Sequence, residues 1–535
     1  MSRQFQSTNI PYSQTGKFSK IVLDYVSGAT ELKEFYEHPV DLQGIKSAIT
    51  ERKKFKNNRK ILVDQLTLQY EGIAENHLVK ANINSLLSEN TFTICTAHQP
   101  NIFTGHLYFI YKILHVIKIA KQLKDEIPEC NFVPVFFVGS EDADLEELNH
   151  IELDGHKYEW NTKQTGAVGR MTIDAELIKL IDQIAGRLSV EKYGEEIISL
   201  VRNCYVKNRT IGDATFLFVH ELFKEYGLLV LQPDNAVYKN EMIDILEDDI
   251  FNHTSSKIVE KTSEKLSANY KAQAYPRAIN LFYLKDNIRK RFEVVGEKFM
   301  VLDTDIVFTK EEIKSELKNY PERFSPNVIL RGAFQEIILP NIAFVGGGGE
   351  LAYWLQLKDI FKQFSVPFPM LVVRNSFLLV EKKYALAIQK LNISTIDLFK
   401  KRLDLLSEIV KNETESMLDL QQQKSQIAEI YDKIKMLVNP IDPTLVQHVS
   451  ALETKQQKLL GALEKKMMRA EKKKYSVEEQ QLTKLYDALF PGGGLQERTE
   501  NFMLFYSKWG KDFIKLIYEN SLVFEQDFCI IEQKD

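Results

Sequence analysis

Four short runs constrain the fold of this chain more than any other feature: "FTICTA" (92–97), "FVPVFFVGS" (132–140), "YGLLVLQPD" (226–234) and "FPMLVVR" (368–374). Each is rich in β-branched and aromatic residues, is of strand length and ends in polar or turn residues, the pattern of strands buried on both faces. Between the first two lies "GHLYFIYKILHVIKIAKQLKDEI" (105–127), with apolar residues on a helical period. Strand, helix, strand in that order builds a parallel sheet. A second α/β stretch, 326–364, precedes the fourth run, so the sheet is assembled from separated parts of the chain.

The rest of the chain is arranged around this core. Residues 1–85 read as a mostly helical segment packing on it, and their basic run "ERKKFKNNRK" (51–60) reads as a solvated helix face. The core then spans 86–385, with insertions at about 151–325. Within these, "HKYEWNTKQTGAVGRMTID" suggests a hairpin, 177–225 reads as helical and 287–308 as strand-like.

From 398 to 486 glycine almost disappears. Positions 403, 406, 410, 413, 417, 420, 424, 427, 431, 434 and 438 form a heptad seam broken only at Glu413 and Lys424. Two prolines in "NPIDPT" (439–444) stop this helix, and Leu445, Val449, Leu452, Leu459, Leu463 and Met467 carry the spacing on. The expectation is an antiparallel coiled coil over 386–490, reaching roughly 50 Å. Its surplus apolar surface would be covered in a homodimer. A last segment, 491–535, returns to the core and ends in the strand-like "SLVFEQDFCII".

At 535 residues the chain is long enough for several domains, and its formal charge of −5 leaves no nucleic-acid footprint. "MSRQFQSTNIPYS" lacks a signal-peptide core and no run is apolar enough to span a bilayer, so a cytoplasmic protein with no membrane partner is expected. The four scattered cysteines lack C-x-x-C spacing and suggest no metal site.

Chemistry is expected where strands end. "TAHQPNIFTGHLYFIYKI" (96–113) places His98, Gln99, Asn101, Thr104, Gly105 and His106 between the first strand and its helix. Backbone N–H groups at such a helix start attract anions, and the two imidazoles could donate to a phosphoryl or carboxylate oxygen. T-G-H is a partial match to the H-x-G-H signature of class I nucleotidylyl transferases. In "VGSEDADLEELNH" (138–150), Asp142 and Asp144 could hold an ammonium group or Mg2+, or take a proton from an amine; helix-start acids stabilised by the dipole are the simpler alternative. "FVGGGGELAYW" (344–354) offers Gly347, Gly348 and Gly349 for positive φ and close approach to a ligand, with Glu350 and Tyr353 one turn on. Arg331 and Arg374, each ending a strand-like run, would meet carboxylates.

Four segments together, "AHQPNIFTGHLYFIYKI", "VPVFFVGSEDADLEELNH", "SPNVILRGAFQEIILPNIAFVGGGGELAYWLQL" and "PGGGLQER", resemble in order and spacing the bacillithiol biosynthesis cysteine-adding enzymes, the BshC family of cysteine ligases. The resemblance covers essentially the whole chain. It implies an α/β fold with a Rossmann-like core, connecting-peptide insertions and an antiparallel coiled coil that dimerises. The implied reaction joins the carboxyl group of L-cysteine to the amine of glucosaminyl malate. An adenine nucleotide site near the coiled coil is also implied, so ATP or ADP with Mg2+ is the expected cofactor, and Gly492, Gly493, Gly494, Gln496 and Arg498 are its candidate residues. Asp142 or Asp144 would then be the amine's base and His98 and His106 would stabilise the activated group. The chain departs from the commonest family pattern at His98, at His106 and at Ala143, which moves weight from the imidazoles to the backbone, Gln99 and the acids. Two other readings stay open: a nucleotidylyl transferase acting on another acid, and a non-catalytic nucleotide-binding assembly protein.

Overall fold

In the computed structural model, residues 5–414 and 418–534 are described, and they fall into two compact units. One comprises residues 7–378 and 494–529; the other comprises 379–493 with short pieces of both termini.

The first unit is built on a five-stranded, wholly parallel sheet of β1 (Thr91–His98), β2 (Asn131–Val138), β3 (Leu229–Leu231), β4 (Asn341–Gly346) and β5 (Met370–Val373), in the spatial order β5-β4-β1-β2-β3. The expected strands are all present, although the third is only three residues long. The strand order reverses between β1 and β4, and in open α/β sheets ligands bind at the carboxyl side of such a switch. Helix α1 (Tyr108–Glu126) connects β1 to β2 and buries twelve of its 19 residues, including Lys112 and His115, so it is apolar nearly all round. Beneath the sheet, Phe92, Ile94, Val345 and Val372 pack with Ile45, Ile49 and Leu123 in one core. The edge strand β3 is capped by side chains at the end of the helix Arg59–Gln69 and just after it: the Tyr70 hydroxyl accepts from the Val230 N–H at 2.8 Å, and Gln69 bonds both Val230 and Gln232. This closes an edge otherwise open to pairing.

The insertions are resolved into parts. A hairpin (His150–Leu153 with His156–Glu159) begins slightly before the expected stretch, three helices follow between Ala175 and Phe223, and a separate antiparallel sheet runs from Leu281 to Pro326. Residues 12–85 are mostly helical, and Phe5–Pro11 is extended. Arg331 does not end a strand: it lies in helix α2 (Val328–Ile338), since Asn327 caps the N–H of Ile329 at 2.8 Å and the run continues with helix formers.

In the second unit the first arm is not one helix. It divides into α4 (Arg402–Glu413) and α5 (Gln421–Val438); Met417 of the seam lies outside the described residues. The returning arm is continuous, α6 (Thr444–Lys472) followed by α7 (Ser476–Leu489). The apparent flaw at Lys424 is a cross-arm ion pair with Glu464 at 2.5 Å, and Lys435 pairs with Glu453 at 2.6 Å. Among the described residues no helix is long and apolar enough to cross a membrane.

Candidate functional site

A pocket of about 360 Å³ opens at the switch between β1 and β4, built entirely from the first unit. Ala97, His98 and Gln99 come from the end of β1; Gly347, Gly348, Gly349, Glu350 and Tyr353 come from the turn after β4 and from α3 (Gly348–Trp354). Arg331, Arg374 and Arg498 add three guanidinium groups, and Glu147 and Gln273 complete the wall. With Lys112 the guanidinium groups make four cationic side chains against the two carboxylates of Glu147 and Glu350.

Its floor is a strut that joins the two switch strands. Lys112, 2% exposed, donates from Nζ to the Ala97 carbonyl at 3.0 Å and forms an ion pair with Glu350. Glu350 in turn accepts from the Gly347 N–H at 2.8 Å. Burial pulls the Lys112 ammonium below the usual lysine range, Glu350 opposes this and Arg374 and Arg331 add to it. The signal in the sequence was a single lysine inside the apolar run "YFIYKILHVI", which the helical-period reading passes over.

The glycine turn serves packing here. None of Gly346–Gly349 has a positive φ, contrary to the expectation for this loop. A Cβ at Gly346 would come within 2.8 Å of the Phe344 ring, and one at Gly348 within 2.7 Å of Val22. The first lets the short α3, whose Glu350 and Tyr353 line the pocket, lie close over β4, and the second admits Val22 of the N-terminal segment.

The two histidines part company. His98 is half-buried at the pocket wall with Nε2 3.3 Å from the Tyr108 hydroxyl. Burial holds its imidazole well below the usual range, with Lys112, His106 and the two arginines adding to the effect, so it is neutral. His106 does not line the pocket: its Nδ1 donates to the Thr499 carbonyl at 2.9 Å and ties the start of α1 to the 495–501 segment.

The expected anion cradle at residues 104–106 is absent. The chain reaches α1 through a tight turn in which Phe103 and Thr104 have positive φ, and the helix begins at Tyr108. The N–H groups of Thr104, Gly105 and Leu107 already bond the carbonyls of Asn101, Ile102 and Glu500. Thr104 is fully buried, while Asn101 is 2% exposed and donates to the Glu147 carbonyl at 3.3 Å. These residues shape the turn and leave ligand contact to others.

The acids also divide. Asp142 accepts from Gln99 Nε2 at 3.4 Å and from the N–H of Ala143 at 2.8 Å, with Arg331 3.8 Å away. Burial would raise its pKa, but Arg331 and Arg289 outweigh this and lower it, so the carboxylate is a poor proton acceptor and a good anchor for Arg331. Asp144 is exposed and caps the short helix Leu145–Leu148 through the Glu147 N–H at 3.3 Å, outside the pocket. Of this acidic stretch, Glu147 lines the pocket, its pKa raised by desolvation and by repulsion from Asp144 and Asp142.

Of the "PGGGLQER" segment, Arg498 alone reaches the pocket. Gln496 is 4% exposed; Glu497 is fully buried and pairs with Arg374 at 2.7 Å. Gly492 and Gly493 take positive φ in the turn before it. Arg374 is therefore largely committed: Nη1 donates to the Asn375 carbonyl and Ser376 Oγ, Nη2 to Glu497, and only Nε lacks a partner. Arg331 and Arg498 are the freer guanidinium groups.

Comparison with known proteins accounts for the whole architecture. The family model described as "Bacillithiol biosynthesis BshC, N-terminal Rossmann-like domain" matches residues 5–375, and "Bacillithiol biosynthesis BshC, C-terminal coiled-coil domain" matches 377–533. Proteins named "Putative cysteine ligase BshC" from Flavobacterium johnsoniae and Flavobacterium psychrophilum are each 39% identical to this chain, covering 98% of it and 99% of their own length. One of the same name from Christiangramia forsetii is 38% identical over 98% of both chains. With its parallel switch-point sheet and its paired helical arms matched from end to end, the chain belongs to the BshC family of bacillithiol biosynthesis.

Proposed function

We propose that this protein is the cysteine ligase of bacillithiol biosynthesis, joining the carboxyl carbon of L-cysteine to the amine of glucosaminyl malate. The observation that carries this reading is the switch-point pocket, where Arg331 and Arg498 share the wall with a neutral His98 and with Glu147, whose pKa is raised. Malate brings two carboxylates, and the Arg331 guanidinium can pair with one of them.

Cysteine's carboxylate is a poor acyl donor and needs activation. ATP with Mg2+ would supply that activation, and Arg498 is the side chain suited to its phosphate oxygens. In the ligation step the amine nitrogen forms the new C–N bond, the activating group leaves with its electron pair and Glu147 takes the amine's surplus proton. Neutral His98, held by Tyr108, orients the acyl oxygen without competing for that proton. Lys112 and Glu350 keep the two switch strands in register beneath them.

Mass spectrometry of the protein incubated with L-cysteine and glucosaminyl malate, with and without ATP and Mg2+, tests this. A product of bacillithiol mass is expected, and no product from folded protein would reject the reading. Arg331→Ala is expected to lower kcat/KM about 100-fold or more, in line with loss of a charge-assisted contact, while leaving the unfolding transition nearly unchanged.

The second unit supports a homodimer. Leu437 is 71% exposed, Ile441 78% and Leu459 56%, a surplus of apolar surface on the paired arms. Light scattering at the dimer mass, shifted to the monomer mass by Leu437→Glu with Ile441→Glu, is the expected result.

A further inference from the structure

A second pocket, of about 450 Å³, lies at the opposite end of the parallel sheet from the ligase site, beside Phe368, which precedes β5. Its apolar floor is Phe35, Phe361 and Phe368, the last two edge-to-face with centroids 5.0 Å apart. Into it faces His38, only 2% exposed, with no hydrogen-bond partner of normal geometry at either ring nitrogen. A buried imidazole without partners is costly and calls for an explanation.

The polar groups of the rim show which chemistry is unmet. All four carboxylates already have a donor. Glu34 has Lys265 at 3.6 Å, Glu37 has Lys358 at 3.6 Å, Glu51 has Lys54 at 2.6 Å, and Asp359 accepts from the Thr262 hydroxyl at 3.3 Å. Lys362 has no carboxylate partner among the described residues, and it shares the pocket with His38. The groups with hydrogen-bonding capacity left over are thus the Lys362 ammonium and the His38 imidazole, whose one N–H has only a distorted contact with the Phe368 carbonyl, above an aromatic floor.

We propose that this pocket is a second binding site, for a small organic anion whose carboxylate or phosphate bonds His38 and Lys362 and whose apolar body rests on the three phenylalanines. Burial lowers the proton affinity of His38 against the pull of Glu37, the Phe368 carbonyl and Glu51, so the ring is neutral and offers one N–H. Phe361 and Phe368 also contact Trp354, at 5.5 and 5.7 Å between centroids. Trp354 follows Tyr353 of the ligase pocket, so an occupant would touch the aromatic cluster on which that wall rests.

The test is NMR of protein carrying 15N-labelled histidine, titrated with phenyl phosphate, benzoate or inorganic phosphate, with the His38 signal assigned by its loss in His38→Gln. A saturable His38 shift with an organic anion at a Kd of about 1 mM or tighter is expected, weakened about tenfold by Lys362→Ala, which alters only an exposed side chain. The stronger of the two organic probes identifies carboxylate or phosphate as the recognised group. No saturable shift with either, equal binding of inorganic phosphate, or affinity indifferent to Lys362→Ala would overturn the site.

Discussion

Helices α1 and α5 are close in length, 19 and 18 residues, yet α1 buries twelve of its residues and α5 buries none. The first is stabilised by the sheet it covers. The second relies on its partner arm and on cross-arm pairs at Lys424 and Lys435. The same kind of interaction therefore has different weight in the two units. Arg374–Glu497 in the core is 4% and 0% exposed, whereas Lys435–Glu453 in the arms is 25% and 21% exposed.

The contrast can be broken most sharply at Glu497. Glu497→Ala strands the buried Arg374 guanidinium and is expected to cost about 3–5 kcal/mol, read by denaturant unfolding. The three tryptophans, Trp160, Trp354 and Trp509, all belong to the first unit, so their fluorescence follows the core alone. A smaller effect is expected at Glu500, whose carboxyl is pushed up to about 7 by burial, with Asp154 and Glu152 adding to the rise. Its folded-state pKa lies above the unfolded value, so the folded protein holds this proton more tightly. Its contribution is complete below about pH 4.5 and fades by about pH 7, a loss on the order of 3 kcal/mol. Glu500→Gln is expected to flatten that part of the stability–pH curve. The smallest change belongs to the arms: Lys435→Ala is expected to lower only slightly the thermal transition seen in helical circular dichroism, leaving the tryptophan transition in place.

Much of this architecture was legible beforehand because periodicity is local. Buried parallel strands lack polar alternation, and paired helices repeat every seven residues, so the core strands, α1 and the two arms could be read directly. The break between α4 and α5 was not legible, since a heptad pattern does not report where a helix stops. Arg331 was misplaced for a related reason: "NVILR" suits a buried strand and a buried helix alike, and only the Asn327 cap and the sheet beside it decide.

The candidate site shows the same division more strongly. Sequence by itself determined which chemical groups stand at the strand ends: His98, Gln99, Asp142, the glycine turn, Glu350 and Tyr353. Tertiary structure decided which of them are free. It spent the N–H groups of Thr104 and Gly105 on their own turn, gave His106 to Thr499, Asp144 to a helix cap and most of Arg374 to Glu497, and brought Lys112, Glu147 and Arg498 in from elsewhere. A residue's type follows from its code, but whether its hydrogen bonds are already made depends on partners up to hundreds of positions away, which only the folded chain brings together.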